Sequence, residues 1–292
     1  TGAWRVRSSM NTLSEALGIT CSADIGLMSI SYTCFDGESS FSHALSLTTT
    51  GVNTSRLNRL EHFVSDFPVE GIHMSGEALH SQLDEIERIH GLYSPAALGL
   101  ASALACSAFT FLLGGGPLEM ILAFAGAGIG NAIRCKLGKH HFTLFMCIAV
   151  SVSSACLVYA GFLKLAELLF HISVQHEAGY ICSMLFIIPG FPFITSGIDL
   201  AKLDMRSGLE RLAYAIIVVM VAAVSAWLMA LLLHLKPVDF LPLELSAAQR
   251  ILFRLLASFC GVFGFSVMFN SPVRLAAAAA FIGALSNTLR LE

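Results

Sequence analysis

The sequence contains little charge. Asp, Glu, Lys and Arg account for 13% of its 292 residues, against about 25% in a typical soluble domain. Hydrophobic residues account for 55%, and the mean hydropathy is +0.74. The net charge of −3 comes without a basic stripe, which excludes nucleic acid as a partner. Water is therefore not the only solvent of this chain, and we expect a lipid bilayer to be the other.

Paired motifs that carry chemistry are also missing. The eight cysteines stand singly without a CxxC pair, which favours small buried side chains over disulfides or metal ligands. The ten histidines show no HExxH spacing, and no nucleophile elbow or Ser/His/Asp arrangement is present. We therefore expect no metal site, no cofactor and no enzyme activity. Thr1–Met10 lacks the apolar core of a signal peptide.

The charge that is present is unevenly divided along the chain. Residues 1–92 hold 11 acidic and 5 basic residues, whereas residues 93–292 hold 9 acidic and 12 basic ones. Such a contrast indicates two regions in different solvents. We expect a soluble domain over residues 1–92 and membrane helices beyond it.

The first 92 residues show the patterns of a small α+β domain. Helical spacing of apolar residues predicts a helix over Ala3–Leu17, which Gly18 ends. Asn53 or Thr54 is a cap for a second helix, which runs through Phe67, and Ser75 caps a third, which runs through His90. Runs rich in Ile, Thr and Tyr predict strands that turn at Asp36-Gly37, namely Ile19–Ile25, Leu27–Phe35 and Ser40–Thr50.

From Ser94-Pro95 onward, apolar runs long enough to span a bilayer follow one another. Backbone groups in hydrocarbon must be satisfied within the segment, so these runs are predicted to be helices. The fold class is therefore a mainly α, polytopic membrane protein with about seven transmembrane helices, the last of them short. The runs are Ala96–Leu113, Pro117–Ile133, Phe142–Leu163, Ala178–Ile198, Leu212–Leu235, Ile251–Phe269 and Leu275–Leu289.

The basic residues in the short loops predict the orientation. Two loops hold three cations each and are expected to be cytoplasmic, whereas the alternate loops hold fewer, with Lys164 in one and Lys236 and Arg250 in the other. This arrangement also places the N-terminal domain in the cytoplasm. The two basic loops contain Arg134, Lys136 and Lys139, and Lys202, Arg206 and Arg211.

The fourth run contains Pro189, Gly190 and Pro192 inside a membrane segment. Two prolines remove backbone donors and clash with the preceding turn. One interpretation is a kinked, continuous helix. The other is a broken helix whose freed carbonyls and half-helix ends face a substrate cavity, as in secondary transporters.

Asp199 lies about two turns beyond Pro192. An ionisable group at membrane depth is a candidate proton carrier or a partner for a substrate amine. The alternative is a solvated carboxylate at a helix end, paired with Lys202 or Arg206. Glu119, near the start of the second run, is interpreted as a carboxylate that favours a helix N-terminus.

Other polar residues at helix ends are further candidates for the substrate or ion pathway. Asn131 and Arg134 end the second run and either line a cytoplasmic vestibule or anchor the helix end. Asn270 and Arg274 lie in the polar break between the sixth and seventh runs. Gly126, Gly128 and Gly130 form no nucleotide loop, because no strand precedes them, and are predicted to form a helix-packing face instead.

On these residues, the chain resembles the ThrE-type threonine/serine exporter family, including relatives split into two membrane proteins. The main likeness is Ile187–Asp199, which contains Thr195, followed by Ser207–Arg211. The remaining matches are Gly2-Ala3 with Arg5, Leu17-Gly18, Tyr93-Ser94-Pro95, Gly114-Gly115-Gly116, Gly261–Asn270 and Pro272-Val273-Arg274.

The resemblance implies proton-driven export of small amino acids across the inner membrane, through ten helices in two sets of five. We therefore expect a five-helix module over residues 93–235 and the first two helices of a truncated second module over residues 236–292. Either the chain is a fragment of a longer protein, or a second membrane subunit or a homo-oligomer supplies the missing helices.

The sequence leaves two other functions open. Some split relatives are associated with dicarboxylate export, in which case Arg134, Arg206 or Arg274 would bind an anion such as succinate. In the second alternative, residues 1–92 are a sensor or hydrolase and the helices only anchor it. An anchor needs one or two helices, however, and this sequence offers about seven.

Overall fold

The computed structural model describes residues 2–47, 51–171, 176–235, 239–240 and 243–291. The end of the third predicted strand, residues 48–50, and Lys236 lie outside the described residues. The chain divides into two compact units. Unit 1 comprises residues 1–91 and 189–217, and unit 2 comprises residues 92–188 and 218–292.

Unit 1 begins with helix α1 (Ala3–Ala16), which ends where Gly18 adopts a positive φ of 69°. A three-stranded antiparallel sheet follows in the order β1 (Thr20–Ile25), β2 (Ser29–Phe35) and β3 (Ser40–Ser46). The turn between β2 and β3 is closed by Asp36, which accepts hydrogen bonds from the backbone N–H groups of Glu38 and Ser39. The sequence prediction of a helix followed by antiparallel strands is confirmed here.

Two capped helices complete the N-terminal part of unit 1. Asn53 accepts a hydrogen bond from Arg56 N and caps α2 (Thr54–Asp66). Ser75 accepts one from Ala78 N and caps α3 (Gly76–Glu87). These side chains satisfy donors that have no partner at a helix start. Both caps were predicted from the sequence, although α3 ends three residues before His90.

The apolar runs form helices, and five of them are long and apolar enough to cross a membrane. A bent pair, Ala178–Ile187 and Gly190–Ala201, raises the number to six if it is one broken span. The five are α4 (Pro95–Leu112), α5 (Pro117–Lys139), α6 (Leu144–Phe170), α8 (Met205–Leu233) and α9 (Ala247–Met268).

The count of seven spans is not confirmed. Helix α10 (Val273–Leu291) forms where the seventh run was predicted, but it is not among the candidate spans. It is built largely of alanine, carries Arg274 and Arg290 near its ends, and includes the polar series Ser286-Asn287-Thr288. These residues make it less apolar than the five longer helices.

Close helix packing in unit 2 rests on glycine. A Cβ on Gly126 would lie 2.9 Å from the carbonyl oxygen of Ala155, and one on Gly130 would lie 2.9 Å from that of Ser151, both on α6. The backbones of α5 and α6 are therefore in contact, as small residues allow between membrane helices. The predicted packing role of the α5 glycines is confirmed, but on two faces, because a Cβ on Gly128 would lie 3.2 Å from Ala103 Cβ of α4. Helix α4 packs on both α5 and α9, and α9 packs on α10.

Large apolar side chains of unit 2 lie exposed on its helices. Leu168 is 74% exposed, Trp227 60% and Leu232 70%. Leaving such a side chain in water rather than in an apolar medium costs about 1.5–3 kcal/mol. Lipid would solvate these surfaces, so the structure is that of a multi-pass membrane protein.

Candidate functional site

Pro189 and Gly190 mark a break between two helical segments. A 3₁₀ segment ends at Ile187, and helix α7 (Gly190–Ala201) begins with Pro189 as its N-cap residue. Pro192 is the third residue of α7, so the N–H that it lacks is one that would have no partner at a helix start. The helix opens with a hydrogen bond from Phe193 N to Pro189 O, 3.1 Å long. The prolines therefore start a new helix, and the interpretation of a kinked, continuous helix is wrong.

Asp199 lies in the last turn of α7 and is 0% exposed. Its Oδ2 accepts hydrogen bonds from the backbone N–H of Ala3 at 3.2 Å and from the Ser207 hydroxyl at 3.0 Å. Arg211 Nε lies 3.2 Å from the same oxygen and also donates to Ser207 Oγ at 3.0 Å. Burial of a carboxylate requires such a partner charge and donors. The alternative of a solvated carboxylate paired with Lys202 or Arg206 is therefore wrong.

The other oxygen of Asp199 has no such partners. Oδ1 is buried and has no hydrogen-bond partner among the described residues. Residue 2 is glycine, and a Cβ there would lie 2.9 Å from Oδ1. Any side chain at position 2 would therefore crowd this oxygen, and glycine avoids that contact. Buried acceptors are rarely left unsatisfied in native proteins, so Oδ1 is the atom of this site that is suited to an incoming donor.

The two cations expected beside Asp199 have other partners. Lys202 Nζ lies 4.4 Å from the centroid of the Trp4 ring. Arg206 forms ion pairs with Asp24 and with Glu210, the latter at 3.1 Å. Arg206 is consequently already bound by two carboxylates, which makes it a poor anion site for a dicarboxylate.

Further polar contacts join the α7–α8 turn to the N-terminal residues of unit 1. Arg7 and Asp204 form an ion pair of 2.6 Å, and Glu210 Oε2 accepts a hydrogen bond of 2.6 Å from Leu27 N. Together with the bond from Ala3 N to Asp199, these contacts bind the start of α1 and the β1–β2 turn to residues 199–210. No sequence pattern indicated this connection.

Thr195 and Ser196 have structural partners in the same part of unit 1. The Thr195 hydroxyl donates to the carbonyl oxygens of Phe191 and Pro192, at 3.0 and 3.2 Å. The Ser196 hydroxyl donates to Gly208 O at 2.7 Å, which holds α7 against the start of α8. The Thr195 hydroxyl therefore bonds to backbone carbonyls of its own helix near the break.

Asn131 and Arg134 lie in unit 2, near the C-terminal end of α5. Asn131 is 0% exposed, and its amide donates to Leu98 O at 2.9 Å. Its carbonyl oxygen accepts from Arg134 Nε at 3.0 Å. The Arg134 guanidinium carbon lies 6.0 Å from the centroid of the Phe186 ring. The Asn131 contact joins α5 to α4, the Arg134 contact joins α5 to the 3₁₀ segment that ends at Ile187, and a place for either residue in a substrate or ion pathway stays a prediction.

Asn270 and Arg274 also lie in unit 2. Asn270 adopts a positive φ of 62°, and its side-chain oxygen accepts a hydrogen bond of 2.6 Å from Leu92 N. The backbone carbonyl of the next residue, Ser271, accepts one of 2.6 Å from the Tyr93 hydroxyl. The polar break thus holds the start of α4, whereas Arg274 is exposed.

The structure divides the nine predicted site residues between the two units. Pro189, Gly190, Pro192, Thr195 and Asp199 all lie on α7 or at its N-cap in unit 1, whereas Asn131, Arg134, Asn270 and Arg274 lie in unit 2. The first group is built around a buried ion pair that reasoning from the sequence missed. Ser207 and Arg211 did stand in a sequence motif beside Asp199, but nothing in their spacing identified them as its partners.

The family model of ThrE, described as "Putative threonine/serine exporter", matches residues 1–234 of the chain. No curated protein and no solved structure matches it. The matched residues include the break at Pro189, Asp199 and both of its partners on α8. Helices α9 and α10, with Asn270 and Arg274, lie beyond the match, so their likeness to a second module stays a prediction.

Proposed function

This chain belongs to the threonine/serine exporter family of membrane transporters, and we propose that it exports threonine, serine and similar small amino acids in exchange for protons. The observation that carries the proposal is the buried ion pair of Asp199 on α7 and Arg211 on α8. Helix α7 starts within the fourth apolar run. Interrupted helices and ionisable groups at membrane depth are features of substrate sites in secondary transporters.

The charges of this pair complement those of an amino acid. Asp199 and Arg211, 3.2 Å apart, carry one negative and one positive charge, and a zwitterionic substrate carries one of each. In the proposed bound state, the substrate ammonium donates to Asp199 Oδ1 and the substrate carboxylate accepts from the Arg211 guanidinium. Charged hydrogen bonds of this kind are about twice as strong as neutral ones.

The pair also provides a suitable resting state. Without substrate, Asp199 and Arg211 neutralise each other, so the closed site leaves no buried charge uncompensated. Substrate entry would exchange one set of charged contacts for another. Ser207, which bonds to both side chains, is placed to adjust to either arrangement, and its hydroxyl is a suitable partner for the substrate hydroxyl.

The contacts in unit 1 support a cytoplasmic N-terminal region. Lys202 and Arg206 stand where α7 ends and α8 begins, in the predicted basic loop that the positive-inside rule assigns to the cytoplasm. The ion pair of Arg7 with Asp204 and the hydrogen bond from Leu27 N to Glu210 hold the N-terminal residues to that loop. We therefore propose that residues 1–91 lie on the cytoplasmic side of the cell membrane, where they adjoin the entrance for exported substrate.

Counterflow of labelled threonine in proteoliposomes, with and without a pH gradient, tests the function. We expect the natural protein to exchange threonine and Asp199→Asn to lose that exchange, because a neutral amide binds an ammonium group less strongly. Asp204→Asn is the matched control, since Asp204 likewise pairs with an arginine, Arg7, but lies outside the proposed substrate site. Exchange of succinate in place of threonine, or full threonine exchange by Asp199→Asn, would contradict the proposal.

A further inference from the structure

A second buried carboxylate, Glu119, lies in the first turn of α5. Its position at a helix N-terminus agrees with the sequence interpretation, but the side chain is only 2% exposed. His176 Nδ1 lies 2.6 Å from Glu119 Oε1. Among the described residues, His176 is the one ion-pair partner of Glu119, and its own side chain is 15% exposed.

The pair is held in place by unit 2. Tyr159 on α6 is 0% exposed, and its hydroxyl donates to the backbone carbonyl of His176 at 2.7 Å. A Cβ at position 179 would collide with the Tyr159 ring, so Gly179 permits this approach. Likewise, a Cβ on Gly116 would lie 3.0 Å from Glu119 Oε2. The structure therefore fixes both the carboxylate and the segment that carries its partner.

The other titratable groups near the pair supply no positive charge. Tyr159 faces Glu119 from α6, and Cys182 faces it from the 3₁₀ segment Cys182–Ile187. Cys182 lies close to Thr110 and Cys106, both on α4. These groups are a phenol and two thiols, so His176 remains the only group around Glu119 that can become cationic in this part of the described structure.

The charge of the pair consequently depends on one proton. When the proton is bound, on either Nδ1 or Oε1, the pair is neutral overall. When it is lost, Glu119 remains as an uncompensated anion in a site of low dielectric, which is costly. Release of the proton therefore requires the pair to open to water, and such a link between protonation and conformation is what a coupled transporter needs.

The position of the pair along α5 is opposite that of the basic loop. Glu119 is 20 residues before Lys139 on one continuous helix, a rise of about 30 Å at 1.5 Å per residue. That distance is about the thickness of the hydrocarbon core. If the basic end of α5 is cytoplasmic, the Glu119 end is at the outer surface, and the His176 side chain there is 15% exposed.

We propose that Glu119 and His176 form the site that binds the proton entering from outside, with Tyr159 as a positioning residue. This inference rests on the proposed function, because a proton site serves coupling only if the protein transports substrate. In the proposed cycle, a proton from the outer solution is shared between Nδ1 and Oε1, is retained while the pair is closed, and leaves when the pair opens.

Glu119→Gln tests the inference in proteoliposomes of the natural full-length protein. Threonine counterflow without a gradient requires no net proton movement and is expected to continue. Stimulation of threonine efflux by an inwardly directed proton gradient is expected to be lost, together with the threonine-dependent signal of a pH dye inside the vesicles. Glu167→Gln, a carboxylate near the end of α6, is the matched control and should keep the stimulation.

Two results would overturn the inference. Gradient stimulation of Glu119→Gln equal to that of the natural protein would show that the carboxylate binds no coupled proton. Loss of counterflow as well as stimulation, in a variant with an unchanged elution profile and melting temperature, would assign Glu119 to the substrate pathway instead. By contrast, failure of the natural protein itself to exchange threonine would refute the proposed function rather than this site.

His176→Gln provides an independent test, because it removes the titratable partner and leaves the carboxylate. The inference expects gradient stimulation to be lost, as in Glu119→Gln, while counterflow continues. His171→Gln is the matched control, since His171 is an exposed imidazole that follows α6 directly. Equal stimulation in both histidine variants and the natural protein would contradict the inference.

Discussion

Asp199 in unit 1 and Glu119 in unit 2 are 0% and 2% exposed, yet their counter-charges differ in kind. Asp199 lies beside Arg211, whose guanidinium remains charged at any physiological pH. Glu119 lies beside His176, the side-chain type whose charge changes most readily near neutral pH. Asp199 also accepts bonds from Ala3 N and Ser207, whereas the hydrogen-bond contact of the Glu119 carboxylate within the described part of the chain is with His176.

The two proposals give these two carboxylates separate tasks. A carboxylate with a permanent counter-charge is neutralised without a proton and is available for exchange with a zwitterion. A carboxylate with a titratable counter-charge gains or loses net charge with one proton. We therefore place substrate binding at the first and proton binding at the second, and the variants below test that distinction.

Removal of the basic partner should separate the two sites most clearly. Arg211→Met leaves Asp199 as a buried carboxylate without its counter-charge, at a cost of about 3–5 kcal/mol. His176→Met should cost much less, because the proton of the neutral pair can stay on Glu119. Thermal unfolding in detergent at pH 7 measures both losses.

Two further variants serve as controls and leave both pairs intact. Arg290→Met and His171→Met are suitable, since each removes a basic side chain at or next to the end of a helix. Similar melting temperatures for Arg211→Met and His176→Met would show that the two partners are equivalent. The distinction between fixed and titratable counter-charge would then fail.

A side chain at position 2 should perturb the Asp199 site alone. The added Cβ of Gly2→Ala would approach Asp199 Oδ1 and the Trp4 ring at 2.9 Å each, and overpacking of this kind costs about 1–3 kcal/mol. We expect a lower melting temperature and weaker threonine counterflow, while any proton-gradient stimulation of the remaining flux is kept. Gly197→Ala is the control, because a Cβ there has open space. A Gly2→Ala variant with normal counterflow would argue against a substrate position beside Oδ1.

Loss of one hydrogen bond should perturb the Glu119 site alone. Tyr159→Phe removes the donor to the His176 carbonyl, a contribution of about 0.5–1.5 kcal/mol. We expect weaker gradient stimulation with threonine counterflow retained, because the carboxylate and imidazole remain but are held less firmly. Tyr180→Phe, another buried tyrosine of unit 2, is the control. An equal fall of counterflow and stimulation in Tyr159→Phe would point to general disruption of unit 2.

Much of the fold followed from local sequence patterns. The caps Asn53 and Ser75, the apolar runs and the α5 glycines each act over a few residues, and all were identified correctly. The number of membrane spans was harder to predict, because α10 combines alanine with polar residues and is therefore less hydrophobic than the longer helices. A broken helix was one of the two interpretations of the fourth run, and the structure has it. Proline at the third position of α7 is compatible with a helix start but not with the interior of a longer helix.

The partners of the two carboxylates could not be predicted in the same way. Lys202 and Arg206 are the expected partners of Asp199 only if residues that are close along the chain are also close in space. Helix α7 ends at Ala201, however, and Leu203 adopts a positive φ of 62°. The chain thereby turns, and Arg211 of the next helix reaches Asp199 instead. His176 is 57 residues from Glu119, and no local pattern links them.

A third carboxylate, exposed at the β2–β3 turn, provides the smallest effect in the series. Hydrogen bonds from the backbone N–H groups of Ser39 and Glu38 and from the Ser39 hydroxyl lower the pKa of Asp36 from 3.8 to about 2. A carboxylate whose pKa falls on folding stabilises the protein when the pH is above its pKa in the unfolded state, and that contribution is lost as pH falls from about 4 towards 2.

Asp36→Asn should therefore lower the melting temperature slightly at pH 7 and less at pH 2.5, whereas Glu38→Gln should show no such trend. An equal loss of melting temperature in Asp36→Asn at both pH values would mean that the turn depends on the shape of residue 36 and not on its charge. The exposed carboxylate would then contribute no charge effect to stability, unlike the two buried ones.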